Sequence, residues 1–387
     1  MKVVCNRAGY VVVGLLMLLA GCGTAPIDLS TPRRPLPPPT PVTAPAAADP
    51  GAVLGPVLLQ AKSRWVPVPW ADLPGFAQDD WFDGWSAWVR SCERAAPPWA
   101  AHCPVVRSLS LATVAEQRAW LLAHFQAYRV ESLEGDPVGR LTGYFEPELD
   151  ASRVPTAGFP VPLYRPPADL ASRRPWFTRK EADTLPAAQA ALADRVIAYV
   201  ADPVDALVLQ IQGSGRLRLA GPGGAVQRVR LAYAGTNDQP YQSVGRWLLD
   251  QGLVRDASWP GIKAWIAANP QRRQELLWSN PRMVFFREEV LPASDGGAGP
   301  RGGQGVALTP QRSIAVDPGS VPYGTPVWLA SVGSQTTLRR LVLAQDTGSA
   351  ITGAVRADYF AGSGPEAAEL AGRLHQPLQL WAIWPRQ

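Results

Sequence analysis

Between Ala315 and Tyr359 the chain alternates short apolar runs with turn residues, a pattern suited to strands. Val316 leads into Asp317-Pro318-Gly319, and Leu341-Val342-Leu343-Ala344 leads into Gln345-Asp346-Thr347-Gly348. Each run delivers an aspartate at its end, and Asp358 closes the segment. A carboxylate where a buried strand meets a Thr-Gly-Ser turn is held rigidly at the rim of a pocket. Asp346 is therefore the expected proton-carrying group. The whole sequence from Gly305 onward is β-rich, apart from a helix over Pro365–Leu374 with Pro in its first turn. A last strand is expected over Leu378–Trp384.

With 387 residues and 47% apolar content, the chain can bury a full core and make two domains. The net charge of +5 is mild, and no basic stripe or recognition motif goes with it. Nucleic acid is not an expected partner. An anionic polymer of a wall or membrane fits the charge equally well.

The amino terminus is more specific. Lys2 and Arg7 precede a nearly continuous apolar run from Tyr10 to Leu19, too short for a lasting membrane span. It ends in Leu19-Ala20-Gly21-Cys22, which resembles a bacterial lipoprotein signal. That likeness implies removal of residues 1–21, acylation of Cys22 and, with Gly23 next rather than Asp, an outer-membrane address facing the periplasm. An acyl anchor holds a protein on a bilayer without spanning it. Residues 22–61 are rich in Pro, Ala and Thr and read as an extended tether.

The remaining cysteines, Cys92 and Cys103, read as a disulfide in an exported protein. With His102 they would lack a fourth zinc ligand, so no metal is expected. Trp81, Trp85 and Trp88 recur at i, i+4 and i+7 on one helical face. Such a stripe reads first as core and second as a sugar-stacking platform. Val114–Arg129 reads as a second amphipathic helix, in which His124 has a structural role.

Leu141–Glu148 reads as a strand broken at Pro147, and Arg179–Ala201 is compatible with helix. Ala206–Leu219 reads as a strand kinked at Gly213-Ser214-Gly215, where a backbone could approach a ligand. On that reading Gln210 and Gln212 share a face suited to sugar hydroxyls and amides, with a plain β-bulge as the alternative. Neither phosphate-loop nor dinucleotide glycine patterns occur there, so no cofactor is expected. Ser214 lacks a nucleophile elbow and an evident histidine base. Helices follow at Tyr241–Gly252, Gly261–Ala268 and Pro270–Trp278, then a strand at Met283–Phe286 and a Gly-rich loop over Leu291–Gln304.

Several segments together resemble a family. Val316–Val327 with Asp317, Ala344–Gly353 with Asp346, and Arg356–Phe360 with Asp358 match a three-aspartate domain. Thr142–Phe145, Gln210–Gly215 and Gly362–Ala368 match further, in order. With the lipoprotein signal, they resemble the membrane-bound lytic murein transglycosylase A family over about Leu141–Trp384. Ser349 stands where that family often has Gly, and Phe145-Glu146 where Tyr and Thr can appear.

The resemblance implies a mainly β protein with flanking helices: a double-psi β-barrel from residues 62–146 and 287–387, with a smaller β-barrel domain, residues 147–286, inserted into it. It implies a peptidoglycan glycan strand lying in the groove and a lyase reaction at the β-1,4 bond between N-acetylmuramic acid and N-acetylglucosamine, leaving a 1,6-anhydromuramic end. Asp346 would be the acid and base. Asp317, Asp358, Gln345, Thr142, Tyr144, Gln212, Gly213, Ser214 and Gly215 would bind or support. Wall-synthesis proteins are the expected protein partners. The residues alone also fit a β-1,4-glycan hydrolase or a glycan-binding wall protein without catalysis.

Overall fold

The computed structural model describes residues 54–221, 225–291, 297–334 and 336–386. The lipoprotein-like segment, Cys22 and the tether up to residue 53 lie outside the described residues. The first part of the chain supplies β1 (Leu58–Leu59), β2 (Arg64–Val68), α1 (Phe82–Ser91), α2 (Cys103–Ser108), α3 (Val114–His124), β3 (Phe125–Glu131) and β4 (Gly139–Glu146). The middle supplies β5 (Glu148–Ser152), β6 (Val161–Tyr164), α4 (Arg179–Thr184), α5 (Pro186–Leu192), β7 (Val196–Val200), α6 (Pro203–Gln212) and β8 (Gly215–Ala220). It continues with β9 (Val226–Thr236), α7 (Val244–Asp250), α8 (Trp259–Ala268), α9 (Arg273–Ser279) and β10 (Val284–Val290). The last part supplies β11 (Ser313–Val316), β12 (Pro326–Val332), β13 (Thr337–Asp346), β14 (Arg356–Ser363), α10 (Gly364–Arg373) and β15 (His375–Pro385).

The outer parts form one sheet in the order β1-β2-β3-β15-β12-β13-β11-β14-β4, and β4 pairs again with β15. That last pairing closes β15, β12, β13, β11, β14 and β4 into a barrel. Two of its pairings, β11 with β13 and β14 with β4, are parallel. The barrel expectation is met, and both ends of the chain build it. Inside are Leu141, Ile314, Leu329, Val342, Ala357 and Tyr359, among others. Closure removes the free edges that an open sheet would expose.

α1 packs against β13 on the side away from the barrel interior, and α2 and α3 join the same apolar cluster. Trp81, Trp85 and Trp88 are 0–1% exposed there, beside Phe125, Trp328 and Leu343. The tryptophan stripe is core. Cys92 and Cys103 are joined, tying the end of α1 to the start of α2. A Thr113–Glu116 capping box starts α3. The expected helix ends five residues early, because Phe125–Arg129 belongs to β3 and pairs with β2 and β15. Cross-strand pairing on both edges outweighs the local preference. Leu58-Leu59 already pairs with Trp65 and Arg64, so the sheet begins inside the stretch read as tether.

The middle part forms a second sheet in the order β10-β9-β8-β5-β7-β6. Two expectations change here. Arg179–Ala201 splits into α4, α5 and β7, with Pro186 opening α5. Ala206–Gln212 is helical, not a kinked strand. Asp202 caps α6 through the Val204 N–H, Pro203 fills its first turn, and Gly213 closes it at φ 82°. Among the described residues no helix is long and apolar enough to cross a membrane.

Candidate active site

The alternation of β13 sends its last two side chains in opposite directions. Gln345 is fully buried, donating to the Ser91 Oγ at 2.7 Å and the Ala87 carbonyl at 2.9 Å, and it accepts from the Ser313 Oγ. It ties α1 to the barrel wall. Asp346 emerges on the other side, half-buried. The Tyr144 hydroxyl donates to its Oδ2 at 2.8 Å, and the Gly303 N–H donates to its Oδ1 at 2.9 Å. A Cβ on Gly303 would sit 2.5 Å from the Tyr323 hydroxyl, so a larger residue there would push that tyrosine aside as the loop closes on the carboxylate. Burial raises the Asp346 pKa, against the hydrogen bonds from Tyr144, Thr347 and Gly303.

Asp358 lies on β14 opposite Thr142 of β4. The Thr142 hydroxyl donates to it at 2.5 Å, and Arg356 Nη2 donates to the Thr142 Oγ1 at 2.8 Å. Burial pushes the Asp358 carboxyl up to about 6, helped by the charge of Asp346 and opposed by Thr142 and Arg356. Burial and both carboxylates raise the Tyr144 phenol well above its ordinary value. Asp346, Asp358, Thr142 and Tyr144 therefore form one electrostatic unit. Asp317 is held apart from it by different partners. Lys62 Nζ donates at 2.8 Å, and the N–H groups of Gly353 and Gly319 donate at 2.9 and 3.0 Å. Burial pushes its pKa up, but these donors outweigh it and hold the group below the usual range. Asp317 staples turns, as its Asp-Pro-Gly context suggests.

Residues 140–287 match the model of the MltA specific insert domain, and residues 312–384 match that of the 3D domain. The second match contains all three aspartates. A membrane-bound lytic murein transglycosylase A from Vibrio cholerae is 31% identical over 277 residues, 68% of this chain and 70% of that protein. The chain belongs to this family. Among solved structures, MltA from Neisseria gonorrhoeae superposes with a TM-score of 0.71 at 28% identity, covering 86% of this chain and 96% of that one. LtgG, a lytic transglycosylase of Burkholderia pseudomallei, superposes at 0.59 with 40% identity, covering 87% and 98%.

Within this MltA-family fold the Gly-Ser-Gly region does something other than expected. Gln212 Oε1 accepts the Phe145 N–H at 3.0 Å, and Gln210 Oε1 accepts from Arg179 and from the Val284 N–H. Both glutamines bond to protein groups. Gly213 is a helix cap and Ser214 is buried. A Cβ on Gly215 would lie 2.7 Å from Leu209 Cδ1. Through Phe145 this region braces β4, which carries Thr142 and Tyr144. Three features escaped sequence reasoning: the Gly303 N–H, Arg356, and Glu146, which lies buried between Arg216 and Arg230. Among the described residues no cluster of three or more His, Cys, Asp and Glu side chains could hold a metal ion.

The Asp358 shift fixes a sign for stability. Its folded pKa of about 6 lies above the ordinary 3.8, so the fold favours the protonated acid. The contribution is fully present below pH 3.8 and is lost as pH rises to about 6. Asp358→Asn resembles the protonated form. It is expected to match the parent near pH 3.5 and to exceed it at pH 8 by about 1–3 kcal/mol. Urea unfolding at both pH values checks this, and equal stabilities at pH 8 would count against it.

Proposed function

We propose that the chain is a peptidoglycan lytic transglycosylase in which Asp346 is both acid and base. The observation that carries this is a strand-end carboxylate gripped by a tyrosine hydroxyl and a backbone N–H, its pKa raised by burial, in a family of such enzymes. Protonated Asp346 gives its proton to the oxygen of the β-1,4 bond between N-acetylmuramic acid and N-acetylglucosamine. The C1–O bond breaks and positive charge develops at the muramic C1. The Asp346 carboxylate then takes the proton of the same sugar's C6 hydroxyl as that oxygen attacks C1. A 1,6-anhydro ring forms, Asp346 is protonated again, and no water is consumed. Asp358, once ionised, lies in the same unit and favours the developing positive charge.

A second reading has its own support. Asp358 titrates near 6 and interacts with Asp346, so a pair of carboxylates exists, as hydrolysis requires. Mass spectrometry of products from purified peptidoglycan separates the readings. Anhydro ends are expected. Reducing ends would mean a hydrolase, and no product would mean a glycan-binding protein. We infer further that the barrel, residues 62–146 and 287–387, carries the chemistry, and that the insert, residues 147–286, walls the glycan groove. The ordered basic, apolar and Leu-Ala-Gly-Cys segments support an acylated Cys22, a tether and an outer-membrane position facing the periplasm. Mass spectrometry of the intact protein reads the acylation directly.

A further inference from the structure

Beyond the acid, three side-chain pairs line up along two adjacent strands. β4 and β14 run parallel, with Arg140 beside Arg356, Thr142 beside Asp358 and Tyr144 beside Phe360. The two-residue alternation of a strand puts these six on one face. The other face, with Leu141, Ala357 and Tyr359, packs into the barrel core. Tyr144 marks the acid end of the row, because its hydroxyl reaches Asp346. The arginine pair marks the other end, about 13 Å farther along the strands. There it lines an open cleft of about 560 Å³ with Val138, Gly139 and Thr352.

The two guanidiniums differ in their engagement. Arg356 donates to Thr142 Oγ1 at 2.8 Å and to the Ala357 carbonyl at 2.5 Å. The Arg140 side chain is exposed, and among the described residues its guanidinium has no hydrogen bond or ion pair. Two like charges directly side by side repel each other. Asp358 is the nearby carboxylate, and it is already bonded to Thr142. An anion between the two arginines would relieve this repulsion. A guanidinium is planar and matches a carboxylate through two parallel hydrogen bonds.

We propose that Arg140, beside Arg356 at this cleft, binds a carboxylate of the glycan substrate and so selects muramic-acid-bearing strands over neutral N-acetylglucosamine polymers. This rests on the function proposed above. Such a carboxylate has two sources. Strands stripped of peptide expose the lactyl carboxylate of muramic acid. Strands with stems carry that group as an amide and offer the carboxylates of the peptide instead. A polymer of N-acetylglucosamine has neither.

The test uses the full chain carrying Asp346→Asn, so that binding is measured without turnover. Affinities are compared for stem-bearing strands, stripped strands and chitohexaose, with and without Arg140→Gln. The ratio of muramyl-strand affinity to chitohexaose affinity is expected to fall about tenfold or more, the size of one lost charge-assisted hydrogen bond. Arg140→Lys, with a point charge in place of the fork, should recover only part of it. A fall confined to stem-bearing strands identifies the peptide carboxylate, and one confined to stripped strands identifies the lactyl group. An unchanged ratio for both overturns the proposal. A parent that binds none of the three glycans removes the functional reading, and the proposal falls with it. A parent that binds all three but loses nothing with Arg140→Gln refutes the arginine alone. Arg140 is exposed, so the melting temperature of each variant should match its parent.

Discussion

Asp346→Asn is expected to lose peptidoglycan cleavage by about 10²–10⁴-fold, the range for removing a general acid and base, while the fold stands. Asn keeps the shape and an oxygen that accepts from Tyr144 or Gly303, but it neither gives nor takes a proton. The fold tolerates this because burial already favours the uncharged form of Asp346. Asp358→Asn removes a charge from the same unit and should retain measurable turnover. Assays of released anhydro products on both variants, with melting curves, decide the matter. An active Asp346→Asn beside an inactive Asp358→Asn would move the acid role to Asp358, whose pKa near 6 makes it the alternative.

Glu146→Ala is expected to cost the most stability. Glu146 is 0% exposed and accepts from Arg216 at 2.7 Å, Arg230 at 2.5 Å and the Ser363 hydroxyl at 2.8 Å. The two arginine side chains are themselves only 15% and 9% exposed. Removing the carboxylate leaves the 9%-exposed Arg230 without its ion-pair partner and takes one acceptor from Arg216, and breaking a buried pair in this way costs about 3–5 kcal/mol. Both arginines also donate to the Ala298 carbonyl, which accepts them without neutralising their charge. Glu146 ends β4, Ser363 ends β14, and the arginines lie on β8 and β9, so the carboxylate joins the two sheets. Glu146→Gln keeps the shape and loses the charge, and should fall between parent and alanine variant. The urea midpoint measures both, and a cost under about 1 kcal/mol for the alanine variant would contradict the buried-pair account.

The barrel strands were legible because apolar runs closed by Gly, Pro and Asp leave few other readings. The body of α6 was not, since Ala206–Leu209 is an unbroken apolar run, and periodicity cannot separate a buried helix from a buried strand there. The decisive marks were local, Asp202-Pro203 before it and Gly213 after it. Phe125–Arg129 was misread because nothing in its own sequence interrupts α3; its partners on β2 and β15 decide it. In the site, Asp346 stood out by its place at a strand end. Its grip by Tyr144 spans 202 residues, and the Asp-Pro-Gly context that set Asp317 apart did not show its partner Lys62, 255 residues away. Glu146 carries no sequence mark of burial, because its counter-charges come from strands 70 and 84 residues away.

The barrel closes through β15, which pairs with β3, β12 and β4 and holds the last described stretch of the chain. As the polypeptide emerges from its amino terminus, β4 with Thr142 and Tyr144 appears early and must wait for Asp346, Asp358 and then β15. The second sheet, whose strands all lie between residues 148 and 290, can pair before any of these arrive. Such distant pairings form late, because the intervening chain must be ordered first. A partly emerged chain thus holds Thr142 and Tyr144 without Asp346 and Asp358, and the barrel that brings them together closes only after β15 has appeared.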